Sequence, residues 1–377
     1  MYFPWRQPGK EHSSMITIQK EYSLPLPYPL DRIGTPEELL FFDIETTGFS
    51  GDRDRVYLIG CTWYAKGSWQ LIQWFADTAS AEEELLHAFF SFLKTFRILI
   101  HFNGEGFDLP FLKKRFAYYR LPFSFDGITS LDIYRLVRPY RKLLGLEHMK
   151  QKNIEQFLGI ARKDIYNGGQ LIEIYADYLQ SRDDFLYRLL ILHNEDDLKG
   201  MPAILPILHY PDYLSGPFTC HSQSLQEIPD IFGQNEKQLT LIYESPITLP
   251  RPVESEGPWF SLTLDGNCME FRIPLREGEL KHFYDDYQNY YYLIYEDNAI
   301  HKSVGQYVDR SARKKATART CYTRTCGCFL PQPSAIWTPC LKDDYTAKLL
   351  YTPYHSSLFD DQEKAEEYRK ETLALCI

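Results

Sequence analysis

The sequence predicts an α/β protein built on a mixed sheet. Three apolar, strand-length runs stand ahead of a helical pattern, and a short apolar strand follows that helix. Turn residues separate the runs, so the first three read as an antiparallel meander. At 377 residues the chain exceeds one ordinary domain, and two are expected.

Taken in order, residues 1–35 read as an irregular N-terminal segment rich in Pro and polar residues. The α/β domain is expected over 36–210, with strands at 38–45, 55–64 and 69–75. Leu85, Leu86, Phe89, Phe90 and Leu93 then recur at helical spacing within 80–95, behind acidic residues that suit a helix start. Residues 98–102 form a short buried strand. The stretch 211–236 is rich in Pro, Gly, Ser and polar residues and reads as a linker. A smaller C-terminal α+β accessory domain is expected over 237–377. Its strand signals lie at 239–243, 260–264 and 268–273, the last two joined by a turn at Asp265-Gly266-Asn267.

Composition narrows the function. No apolar run approaches a membrane span, and the opening Met1-Tyr2-Phe3-Pro4-Trp5-Arg6-Gln7-Pro8 lacks the apolar core of a signal peptide. A cytoplasmic protein with no membrane partner is the expectation. The eight cysteines are scattered and read as free thiols. A net charge of -10 argues against wholesale coating of nucleic acid, though not against a local basic patch.

The strand Leu39-Leu40-Phe41-Phe42-Asp43-Ile44-Glu45 ends in two carboxylates one residue apart. Alternate strand residues share a face, so Asp43 and Glu45 sit side by side while Phe42 and Ile44 enter the opposite layer. Such a pair is unfavourable at neutral pH unless a proton or a cation lies between the two. Hard divalent ions take oxygen ligands, and the pair reads as half of a metal site. The plainer reading has one carboxylate capping a turn and the other solvated. Thr46-Thr47-Gly48 supplies the turn where the strand stops.

Asp108 lies in Asn103-Gly104-Glu105-Gly106-Phe107-Asp108, where the short strand gives way to a helix. Pro110 suits a first helical turn, which makes Asp108 a natural N-cap. Alternatively it stands at the carboxyl end of a strand beside the Asp43 strand, where α/β sheets place ligand sites. Further on, His193 and Asp197 lie four apart on one face of an amphipathic helix marked by Leu189, Leu190, Leu192 and Leu198. They read either as a general base beside a metal ligand or as an ordinary i,i+4 pair on a solvated face.

Asp43-Ile44-Glu45, Asn103-Gly104-x-x-Phe107-Asp108 and His193-Asn194-x-x-Asp197 together resemble the three exonuclease motifs of the DEDD superfamily of 3′-5′ exonucleases. The likeness covers roughly 36–208 and is greatest to the bacterial and archaeal ribonuclease-H-like domain proteins whose third motif is HN-x-x-D or YN-x-x-D. In one respect the chain departs from the wider superfamily: His193 stands at the spacing that the Tyr branch uses.

The resemblance implies a ribonuclease-H-like mixed five-stranded sheet flanked by helices. It further implies metal-dependent 3′-5′ exonucleolytic hydrolysis by two Mg²⁺ or Mn²⁺ ions, releasing nucleoside 5′-monophosphates. Asp43, Glu45, Asp108 and Asp197 would be the metal ligands, and His193 would orient or deprotonate the water. The backbone around Thr46, Thr47 and Gly48 would approach the terminal nucleotide, Asn103 would contact substrate, fix its loop or serve only as a turn residue, and the partner would be nucleic acid with single-stranded 3′ ends. The competing reading is a catalytically weak or inactive nucleic-acid-binding protein on the same scaffold.

Between the second and third motifs the chain turns basic, with Lys113, Lys114, Arg115, Arg120, Arg135, Arg138, Arg141, Lys142, Lys150 and Lys152. That run suits a phosphate track or ordinary solvated helix faces. Asp132 reads as structural. In the C-terminal part Arg310, Arg313, Lys314, Lys315, Arg319 and Arg324 make a second basic segment. Cys321, Cys326, Cys328 and Cys340 leave structural zinc open, although their spacing does not match paired C-x-x-C knuckles.

Overall fold

The computed structural model describes residues 15–26, 28–161, 168–229 and 235–377. The chain divides into two compact units, Met1–Arg141 with Leu146–Ser215, and Lys142–Gly145 with Gly216–Ile377.

The first unit is a mixed six-stranded sheet. Its strands are β1 (Met15–Tyr22), β2 (Leu39–Thr46), β3 (Val56–Ala65), β4 (Ser68–Ala76), β5 (Ile98–His101) and β6 (Thr129–Asp132). Their order across the sheet is β1-β4-β3-β2-β5-β6. β1, β4, β3 and β2 pair antiparallel, and β2, β5 and β6 pair parallel. One strand more than expected is present. It comes from the segment read as irregular, where Ile16 and Ile18 alternate inward onto the core. Their signal is short, and the strand is held chiefly by its ladder to β4.

Helices α1 (Glu82–Leu93), α2 (Asp108–Tyr118), α3 (Ile133–Val137), α4 (Gln151–Leu158), α5 (Gly168–Ser181), α6 (Asp184–Ala203) and α7 (His209–Ser215) complete this unit. α1 opens with Glu82, Glu83 and Glu84 against its positive end, and buries Leu85, Leu86, Phe89, Phe90 and Leu93 on the sheet. Phe42 of β2 stacks on Phe89, with ring centroids 5.6 Å apart. α6 packs on the opposite face of β2 and β3. Its first turn is capped by Asp183, whose Oδ1 accepts from the Phe185 N–H at 2.7 Å. The two-residue period of β2 thus sends Phe42 toward α1 and its two acids toward α6.

A buried clamp ties the loop after β2 to the helices. Glu82 accepts from the Val56 N–H at 2.8 Å, from Tyr119 at 2.9 Å, and from both Nε and Nη2 of Arg115 at 2.7 and 2.6 Å. Arg115 also donates to the Gly51 carbonyl at 3.1 Å. The basic run is correspondingly thinner than the sequence suggested. Arg115 is buried, Lys114 pairs with Asp52, Arg135 pairs with Glu105, and Arg141 caps the carbonyls of Leu146 and Glu147.

The stretch read as a linker is structured on both sides of 230–234, which lie outside the described residues. α7 ends at Ser215, and Thr219–Pro229 form β7, paired along its length with β8 (Asn235–Glu244). Most side chains of β7 are exposed, so the ladder rather than apolar alternation holds it, and its sequence carries little strand signal.

In the second unit β7 and β8 join β9 (Val253–Glu256), β10 (Ser261–Asp265) and β11 (Cys268–Pro274) in one antiparallel sheet. Gly266 at φ +57° makes the β10–β11 turn. Two smaller sheets contain β12 (Arg276–Phe283), β13 (Tyr290–Leu293), β14 (Asn298–His301), β15 (Arg313–Lys315), β16 (Tyr322–Gln332) and β17 (Leu350–Pro353). A short helix α8 (Lys302–Gly305) and a longer α9 (Gln362–Ala374) accompany them. Arg313 and Lys314 lie over the rings of Tyr291 and Tyr292 at 4.5 and 5.0 Å. Cys321, Cys326, Cys328 and Cys340 are free thiols and form no metal-holding group among the described residues. No helix among the described residues is long and apolar enough to cross a membrane.

Candidate active site

The acids of β2 meet α6 in a cleft of about 260 Å³ lined by Asp43, Glu45, Thr46, Phe49, Phe107, Ile172, His193 and Asp197, with Ile44 completing its wall. Glu45, His193 and Asp197 place one ligand atom each within 4.8 Å of one another. His193 Nε2 is 3.2 Å from Asp197 Oδ2 and 3.6 Å from Glu45 Oε1. The β2–β3 ladder shifts register between Glu45 and Thr46 at the site, the kind of irregularity that re-aims side chains next to functional groups.

Asp108 is the first residue of α2 rather than its cap, a position held by Phe107 without a side-chain bond. Its carboxylate lies near its own N–H and that of Ile44 on β2, both of which favour its charged form. It stands off the cleft wall but within electrostatic reach of Asp43 and Asp197.

Burial pushes Asp43 well above the usual carboxylate range. Glu45, Asp197 and Asp108 add repulsion in that order, and a hydrogen bond from Asn194 partly opposes it. Burial likewise raises Asp108 to about 7, against its backbone hydrogen bonds and with the charges of Asp132 and Asp197. Asp43, Glu45 and Asp197 around one cleft, with Asp108 within electrostatic reach and the charged forms of Asp43 and Asp108 penalised by burial, suit a divalent cation bound through oxygen.

The remaining sequence candidates divide. Thr46 reaches the cleft, and its Oγ1 donates to the Gly48 carbonyl at 2.7 Å. Thr47 and Gly48 lie off the cleft wall: Thr47 Oγ1 accepts from the Arg55 N–H at 2.9 Å, and a Cβ on Gly48 would overlap the Asp54 carboxylate. Asn103 is also off the wall. It sits at φ +63° and donates its N–H to Asp132 Oδ1 at 2.8 Å. Asp132 accepts as well from Glu105 at 3.2 Å and caps α3 through Tyr134 at 3.1 Å, a structural role.

Several groups of the site went unread in the sequence. Phe49 is 78% exposed, and its ring centroid is 6.5 Å from that of Phe107. An aromatic directly after a Thr-Thr-Gly turn was the available signal. Asn194 and Gln73 are fully buried behind Asp43; Asn194 stands in the third motif, which assigned it no role, and a lone Gln between Ile72 and Trp74 on an apolar strand was the signal for Gln73.

Residues 40–208 match the family model RNase_H_2, described as RNase_H superfamily. The first unit, with its mixed sheet between helices, has the ribonuclease-H-like fold. Among curated proteins, a DNA polymerase of Thermococcus aggregans is 32% identical over 123 residues, which are 28% of this chain and 7% of the polymerase. The chain therefore spans a small fraction of the curated relative it matches. Among solved structures, the family B DNA polymerase of Pyrobaculum calidifontis aligns at a TM-score of 0.38 and 14% identity, over 68% of this chain and 35% of that one. E. coli exonuclease I in complex with a 5cy-dA13 oligonucleotide aligns at 0.31 and 12%, over 55% and 54%.

Proposed function

We propose that the protein is a metal-dependent 3′-5′ exonuclease of the DEDD type, hydrolysing nucleic-acid phosphodiester bonds to nucleoside 5′-monophosphates. The crowding of Asp43, Glu45 and Asp197 in one cleft, with Asp108 within electrostatic reach, carries this reading, because bound cations relieve such repulsion and hold the acids ionised. Asp43, Glu45, Asp108 and Asp197 would hold two Mg²⁺ or Mn²⁺ ions. When bound, such ions lower the pKa of a coordinated water and offset charge on the scissile phosphate.

The protein's own groups would do the rest. His193, with Nε2 facing Asp197 and Glu45, would take or hold a proton of the attacking water at that atom. Phe49, exposed at the cleft beside Phe107, would stack on the terminal base of a single strand. The parts of the chain rich in Lys and Arg would add sequence-independent attraction for phosphates.

The test is degradation of 5′-labelled single-stranded DNA and RNA with Mg²⁺ or Mn²⁺, run beside Asp43→Asn. A ladder shortened from the 3′ end, lost in the variant, is expected. No shortening of either substrate, or an undiminished ladder from Asp43→Asn, would remove the exonuclease reading.

A further inference from the structure

Asn194 follows His193 on α6 but turns into the sheet rather than the cleft, and it is wholly buried, as is Gln73 on β4. Gln73 Nε2 donates to the Ile191 carbonyl at 3.0 Å and to Asn194 Oδ1 at 2.9 Å. Asn194 Nδ2 in turn donates to Asp43 Oδ2 at 2.8 Å. The polarity of this relay is set at its far end. A main-chain carbonyl can only accept, so Gln73 must aim its N–H groups at Ile191. Asn194 then answers Gln73 with its oxygen, and its own N–H is left for Asp43.

Two further observations show that the arrangement is built for this contact. Gln73 Oε1 is buried with no hydrogen-bond partner among the described residues, so the amide is held in this sense although its oxygen stays unsatisfied. Gly60 on β3 leaves the room Asn194 needs, because a Cβ there would overlap Asn194 Oδ1.

We propose that Asn194, oriented by Gln73, is a positioning residue for Asp43: it occupies Oδ2 and leaves Oδ1 to a divalent cation. The proposal rests on the metal-dependent reading above. A neutral donor fits the task. A cationic side chain in its place would compete for the carboxylate, and an anionic one would add to the repulsion already present.

The test is calorimetric titration of the full chain with Mn²⁺ alone, for wild type, Asn194→Ala, Gln73→Met and the double variant, with thermal melts in the absence and presence of Mn²⁺. Asn194→Ala is expected to weaken Mn²⁺ binding by roughly 10- to 100-fold, as loss of a hydrogen bond to a metal ligand does. Gln73→Met should weaken it in the same direction, and the double variant no further than Asn194→Ala, because Gln73 acts through Asn194. The rise in melting temperature on adding Mn²⁺ should shrink in parallel, which a purely structural role would not cause.

Wild-type Mn²⁺ affinity in either folded single variant, or additive losses in the double, overturns the proposal. Should Asn194→Ala not fold, Gln73→Met decides alone, since it leaves Asn194 in place. A wild type that binds Mn²⁺ but cuts neither DNA nor RNA removes the nuclease reading and leaves the positioning to be judged by the same titrations. A wild type that cuts nucleic acid while both variants bind Mn²⁺ normally removes the positioning alone. A wild type that binds no Mn²⁺ removes both.

Discussion

His193 Nε2 lies 3.2 Å from Asp197 Oδ2, one helical turn along α6, and the same nitrogen is 3.6 Å from Glu45 Oε1 across the cleft. The imidazole therefore stands among the acids rather than beyond them. If it accepts the proton of the attacking water, His193→Ala should lower turnover by about 10²–10⁴. Mn²⁺ affinity should stay near the wild-type value. Single-turnover cleavage of a labelled strand, beside calorimetric titration, checks both, and a wild-type rate would assign proton transfer to another group.

Asp108 gives a pH-dependent stability with a definite sign. Its folded pKa is raised from 3.8 to about 7, chiefly by burial. The group's favourable contribution is thus complete below its unfolded pKa and is lost as pH rises through the folded one. In metal-free protein the melting temperature of Asp108→Asn relative to wild type should climb between about pH 4 and pH 8. Added Mn²⁺ should reverse the order at the upper end, because only the wild type keeps the ligand. A difference that stays flat with pH would show that Asp108 does not titrate in this range.

Arg115 and Glu82 form a two-pronged buried pair, and removing one partner leaves the other charge uncompensated. Arg115→Met should cost about 3–5 kcal/mol in urea unfolding. Adding Glu82→Gln should recover part of that loss. Near-wild-type stability of Arg115→Met would mean that solvent reaches Glu82 once the guanidinium is gone.

Phe49 is exposed beside the carboxylates, where a ring gains little from the fold itself. Phe49→Ala should weaken single-strand binding by about 1–3 kcal/mol, the range for one stacked base. KM should rise accordingly, with kcat and Mn²⁺ affinity little changed. An unchanged KM would take Phe49 out of the substrate path.

The central sheet was legible because its signals are local. In β2, β3 and β4 each strand carries its own apolar run, and α1 its own periodic stripe. β1 and β7 were not, since both are edge strands held by ladder bonds to β4 and β8, whose sequences say nothing of them. The acids were legible for the opposite reason: Asp43 and Glu45 are out of place on an apolar strand. Gln73 carried no signal and Asn194 stood in the third motif without a role, because a buried amide takes its meaning from partners on other elements. Arg115 was read with its basic neighbours, although the helix turns it inward to Glu82 while Lys113 and Lys114 stay outside.

Asn194 and Asp43 are 151 positions apart, and that span has a consequence for the order in which the native state is assembled. As the chain is synthesised, β2 with its two acids is made long before α6, so the meander and α1 can come together with only that pair in place. Asp197, the acid that crowds the site from the helix side, then arrives on the same element as Asn194, which donates to Asp43. The repulsion that Asp197 adds to Asp43 is thus absent until α6 docks, and the same helix brings the hydrogen bond that partly opposes it.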